Sequence, residues 1–182
     1  MVRSFGLKAL SAWQEQPQAS AEQLIIAFYQ ATNILPTSSV RGAYDALSSQ
    51  GLMGLVGGPE FASRVSAYYA QDFNGVLYPR TPYRMEVRGV LPNEVQIAIR
   101  SNCASLAAEG LIVETLSEQC DIGLSTSHAQ EILEDLISHP RMQFYLRQSI
   151  SKDSVSIYVL GNQRATVTQL RERLTDIQNG LQ

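Results

Sequence analysis

Apolar positions recur at helical spacing along most of the chain. Phe5, Leu10 and Trp13 fall at roughly that spacing within residues 5–16, and Pro17 ends the run. Ser20 and Gln23 form an S-x-x-Q capping box that opens a stripe of Leu24, Ile25, Phe28 and Tyr29 reaching Thr32. Pro36 breaks that helix. Ser38 or Ser39 is placed to cap the next one, which carries Val40, Ala43, Tyr44 and Leu47. Gly51 fits the position just past a helix end, where glycine takes the left-handed conformation without penalty. Residues 52–56 form an apolar connector expected to turn Leu52, Leu55 and Val56 inward. Pro59 then suits the first turn of a helix carrying Phe61, Val65, Tyr68, Tyr69 and Phe73.

Asn74-Gly75 signals a turn, and Pro79 and Pro82 follow closely. Residues 83–90 predict one or two helical turns before Pro92. Asn93 is expected to cap a strong helix over 94–109, with Val95, Ile99, Cys103 and Leu106 on one face. Residues 111–124 are the one apolar stretch without helical character, a short extended segment or hairpin arm. Ser127 and Gln130 predict a second capping box before Ile132, Leu133, Leu136 and Ile137, and His139-Pro140 marks a sharp joint. One long helix then runs to the C-terminus, with a fault expected near Gly161. Leu146, Ile150, Ile157, Leu160, Val167, Leu174 and Leu181 recur at intervals that sum to multiples of 3.5, the seam of a helix packed nearly parallel to its neighbours. The serine- and valine-rich part over 149–159 has weaker helix propensity and could form a strand; helix is the preferred reading. The sum is an all-α bundle of about six or seven helices with one irregular arm near 111–124, in a single domain over 1–182.

Composition narrows the function classes. A chain of 182 residues with 45% hydrophobic content can bury a real core. Charged residues make up 17%, and the net charge is −3. That balance argues against nucleic acid, whose phosphates call for a basic excess. Residues 21–58 can be drawn as helix, recognition helix and wing, but the recognition helix would carry only Arg41 beside Asp45. The wing, LMGLVGG, holds no polar residue. No apolar run approaches the roughly 20 residues of a membrane-spanning helix, and no signal-peptide pattern is present.

Catalytic signatures are weak. Glycines 51, 54, 57 and 58 lack the lysine of a phosphate loop. Ser149-Ile-Ser-Lys152 matches S-x-x-K without the companion motifs of penicillin-recognising enzymes. His128 and His139 have no metal-ligand spacing, and Glu131, Glu134 and Asp135 read as a solvated helix face. No catalytic residue, metal or cofactor is therefore expected. The strongest candidate surface joins Arg80, Arg84 and Arg88, which share one helix face at i, i+4, i+8, with Tyr78 and Tyr83 beside them. Guanidiniums suit an anionic group and the aromatics suit stacking. The competing reading has the tyrosines filling the core and the arginines pairing with Asp72 and Glu86. A hydrolase or lyase near 68–88 would need Arg80 or Arg84 to meet a carboxylate and a histidine in one pocket. A cytosolic transcription regulator would need a basic face.

A wider pattern links several of these features. The run AYDALSSQGLMGLVGGPEFASRVSAYYAQ is followed by YRMEVRGVLPNEVQ, by Cys103, and by Cys120 with its apolar arm. His139-Pro140-Arg141-Met142 then leads into the long helix. Together they resemble a pattern in uncharacterised bacterial proteins with an N-terminal membrane anchor and an extracytoplasmic helical domain. The resemblance spans about residues 20–180. It implies a membrane helix upstream of residue 5 and a periplasmic location, and it carries over no activity and no site. In that compartment Cys103 and Cys120 would form a disulfide; in the cytoplasm they would be two buried free thiols. The leading expectation is a non-enzymatic periplasmic domain of a membrane-anchored protein, sensing a small anionic ligand or binding a protein partner. Its C-terminal helix offers a face for homo-oligomerisation.

Overall fold

Helix caps and turn residues set the boundaries of several elements. A computed structural model describes residues 2–33, 41–55, 57–70, 82–105, 115–116 and 120–180. Its helices are α1 (Val2–Leu10), α2 (Ala21–Gln30), α3 (Gly42–Ser49), α4 (Gly58–Ala70), α5 (Pro82–Val90), α6 (Asn93–Cys103), α7 (Thr126–Ser138) and α8 (Met142–Gly180). Short 3-10 turns lie at Ser11–Trp13 and Leu52–Leu55. A two-residue antiparallel pair joins β1 (Ala104–Ser105) to β2 (Thr115–Leu116). The fold is all-α, with eight α-helices among the described residues rather than six or seven. The additional one is α5, a full helix of 9 residues where the sequence promised a turn or two. The Gln96 side-chain amide holds its far end, donating to the carbonyls of Arg88 and Leu91 at 2.8 Å each.

The caps show which local signals operate. At α2 the reciprocal box forms: the Ser20 hydroxyl accepts from the Gln23 N–H, and the Gln23 side chain accepts from the Ser20 N–H. At α7 the cap is Ser125, not Ser127; its hydroxyl accepts from the His128 N–H, and Ser127 lies inside the helix. Gly51 closes α3 at φ 67°, as its position past the helix end requires. His139 is extended, Pro140 follows, and Arg141 takes φ 67°, so the chain turns sharply between α7 and α8. The α8 helix then runs 39 residues with no break at Gly161 and no strand over 149–159. Its hydroxyl side chains find partners along that course. Ser154, Thr166, Thr168 and Thr175 each donate to the carbonyl four residues back, so they meet their hydrogen-bonding needs within the helix.

The chain divides into two compact units: 1–36 with 80–154, and 37–79 with 155–182. The first holds a deep core. Residues 24–30 of α2 are all buried. Around them lie Phe5 and Ala9 of α1, Tyr83 and Val87 of α5, Val95 and Ile99 of α6, Leu136 of α7, and Met142 and Leu146 of α8. Gly6 permits a close approach: a Cβ there would fall 2.8 Å from Cγ1 of Ile150. Trp13 fastens the turn after α1, its indole N–H donating to the Ile137 carbonyl and its ring meeting Phe28 edge-on at 5.5 Å.

The second unit is thinner. Its large buried side chains among the described residues are Phe61 on α4 and Leu170 on α8. Arg64 donates to the Gln169 side chain at 2.8 Å. The connector after α3 does not plug a core as expected. Leu52 is half-buried, but Leu55 is 81% exposed, because the 3-10 turn winds successive side chains to different sides over only four residues. Val56 lies outside the described residues.

Candidate functional site

The C-terminal end of α2 gathers three of the residues singled out in the sequence. A helix ends with carbonyls that have no partner within it, and with the negative end of its dipole. Tyr83, Arg84 and Arg88 on α5 answer both. The Thr32 N–H bonds to the Tyr29 carbonyl, so the Phe28 carbonyl takes a hydrogen bond from the buried Tyr83 hydroxyl at 3.1 Å. Arg84 donates to the Thr32 carbonyl at 2.7 Å. Arg88 donates to the Thr32 hydroxyl and to the Asn33 side-chain oxygen, each at 3.1 Å, and its guanidinium lies 4.6 Å from the centre of the Tyr29 ring. Burial pushes the Tyr83 hydroxyl well above its ordinary pKa, which keeps it a neutral donor. The shared face inferred from i, i+4 spacing is thus present at Arg84 and Arg88, and there the two cations brace α5 against α2. Arg80 and Tyr78 lie outside the described residues, as do Asp72 and Phe73.

A glutamate and a histidine also meet on this unit. Glu86 Oε2 lies 3.4 Å from Nε2 of His139, at the joint between α7 and α8. The other ring nitrogen, Nδ1, is buried without a hydrogen-bond partner. The hydrolase or lyase reading asks for Arg80 or Arg84 in the same arrangement; Arg84 hydrogen-bonds to the Thr32 carbonyl, and Arg80 lies outside the described residues.

Cys103 and Cys120 are joined in a disulfide. It ties the end of α6 to the segment that leads into α7. That segment has further anchors. Asn102 donates to the Asp121 carbonyl at 3.1 Å, and Glu22 on α2 accepts from the Ile122 N–H at 2.8 Å. The predicted arm is fixed at this end; residues 106–114 and 117–119 lie outside the described residues.

Three further features lie on the surface, two of them without a signal in the sequence. On the second unit, Tyr44 and Tyr69 stack at 4.3 Å, and the guanidinium of Arg41 lies 5.5 Å and 5.8 Å from their ring centres. Arg41 also donates to the Tyr69 carbonyl and pairs with Asp45, so it clips the start of α3 to the end of α4. Along α8, Ile157, Leu160, Val167 and Leu174 remain 42–55% exposed. The seam read from the sequence is therefore buried at Leu146, partly covered at Ile150 and open from Ile157 to Leu174. On the first unit, a cleft of about 320 Å³ lies between the end of α1 and the start of α2, lined by Lys8, Ser11, Gln14, Gln18, Ala19 and Gln23. Only Ser20 and Gln23 had a sequence signal, and it concerned capping.

Among the described residues no group of three or more His, Cys, Asp or Glu could hold a metal ion. No described helix is long and apolar enough to cross a membrane. Comparison with known proteins finds no matching family model, no matching curated protein and no matching solved structure.

Proposed function

We propose that this chain is a non-enzymatic binding domain of a membrane-anchored bacterial protein, working in the periplasm. The observation that carries the binding role is the open apolar stripe on α8. Leu160, Val167 and Leu174 repeat at seven residues on one helix face, each more than two-fifths exposed. A strict seven-residue repeat is the period a helix keeps when it lies along another helix. Exposed apolar surface of that length is costly in water unless something covers it. A second copy of α8 fits the stripe. Arg164 and Arg171 follow Leu160 and Val167 by four positions. A parallel, in-register pair would stack like charges, whereas an antiparallel pair staggers them. The disulfide supports the compartment, since such bonds persist outside the reducing cytoplasm.

Sedimentation equilibrium of the full chain across the micromolar range tests this reading. The expected result is reversible association that Leu160→Glu with Leu174→Glu abolishes, while helix ellipticity stays unchanged. A wild-type chain that remains monomeric throughout would overturn it.

A further inference from the structure

We propose that the cleft between α1 and α2 is a binding site for a small carboxylate that also carries a hydroxyl or amino group. The site lies wholly within the first unit, apart from the stripe on α8. Its volume, about 320 Å³, is at the low end for ligand pockets, which limits the occupant to a small organic acid or amino acid. Two parts of its wall are anchored before any ligand arrives. The 3-10 turn after α1 is held to the core by Trp13, and the capping box locks Gln23 at the start of α2. Such preorganisation lowers the ordering cost of binding.

The hydrogen-bonding state of the lining defines the ligand. Lys8 is half-buried and forms no ion pair among the described residues. An ammonium in that position favours an anion, and the positive end of the α2 dipole adds to the preference. Gln23 uses its side-chain oxygen to accept from the Ser20 N–H, so its NH₂ is left as a donor. Ser11 donates its hydroxyl proton to the Lys8 carbonyl at 2.7 Å, which leaves its oxygen as an acceptor. The cleft thus offers a cation and an amide donor for a carboxylate, and an acceptor for a neighbouring O–H or N–H. Gln14 and Gln18 supply further amides that can donate or accept. Hydroxy acids and amino acids share this pattern; a plain carboxylate fulfils half of it.

Titration of the full, disulfide-bonded chain followed by ¹H–¹⁵N correlation spectra tests the assignment, with glycolate, glycine and acetate as probes. Saturable shifts are expected at Lys8, Ser11, Gln14, Gln18 and Gln23. Glycolate or glycine should bind several-fold more tightly than acetate, and the stronger of the two identifies the ligand class. Lys8→Met, which keeps the apolar stem, should weaken binding at least tenfold. Ser11→Ala should erase the advantage over acetate and leave acetate binding unchanged, and it serves alone should Lys8→Met fail to fold. Absent or non-saturating shifts with all three probes would overturn the site. So would equal affinity for acetate, or shifts that persist unchanged in a folded Lys8→Met.

Discussion

The two units of this chain use similar proportions of apolar sequence to opposite ends. In the first, four helices and the opening turns of α8 close over α2, and side chains such as Phe28, Ile99, Leu136 and Leu146 reach zero exposure. In the second, Phe61 and Leu170 are buried while Leu55, Ile157, Leu160, Val167 and Leu174 stay substantially exposed. One unit stabilises itself; the other keeps apolar surface available. A burial difference of this size is a difference in what each residue contributes to stability, and single substitutions can measure it.

The largest effect belongs to the first core. Leu136→Ala removes a fully buried side chain and leaves a cavity, which costs about 2–5 kcal/mol. Leu160→Ala on α8 removes a side chain that is 42% exposed and should cost less than about 1 kcal/mol. Chemical denaturation checks both, with Trp13 reporting on the first unit, because it is the chain's single tryptophan. Equal losses at the two positions would remove the contrast.

The disulfide comes next. It closes a loop of 17 residues in sequence separation, which the chain-entropy model values at about 3 kcal/mol. Both cysteines lie in the first unit, so Cys103→Ala with Cys120→Ala should lower the Trp13 transition by that order. Helix signal from the second unit should persist. Isolation of the chain from its own host with two free thiols would instead remove the support for an oxidising compartment.

Features set by near neighbours in the chain were legible in the sequence and those set by distant ones were not, for a physical reason. Local signals report on local events. Ser20 with Gln23, the glycine at 51 and the His139-Pro140 joint act within a few residues, and each appears where the pattern placed it. At α7 two serines competed, and the cap formed at Ser125, whose extended backbone leaves its hydroxyl facing the His128 N–H. Long-range partners were beyond reach. The shared face of Arg84 and Arg88 was legible, but their acceptors at Thr32 and Asn33 lie more than fifty residues away. The Leu52–Leu55 turn carries enough hydrophobicity for a core position, yet it leaves Leu55 81% exposed. The cleft at Lys8 was invisible because its chemistry comes from which donors and acceptors remain after capping, not from any motif.

The smallest effect tests the boundary itself. Asp153 lies one residue before the first unit ends, and burial raises its pKa above the ordinary 3.8, against the opposing pull of the N-terminal ammonium and of Arg3. The folded chain therefore holds this proton more tightly than the unfolded chain does. The charged carboxylate penalises folding above the raised value, and the penalty disappears as the pH falls through that value and below 3.8. Asp153→Asn removes the charge at every pH. It should raise the melting temperature at pH 7 by no more than a few degrees, and the gain should vanish near pH 3.5. Melting curves of both proteins across that range, followed by Trp13 fluorescence, give the comparison directly. A variant less stable than wild type at pH 7 would mean that attraction to these two cations outweighs burial. The end of the first unit would then be held by charge rather than by packing.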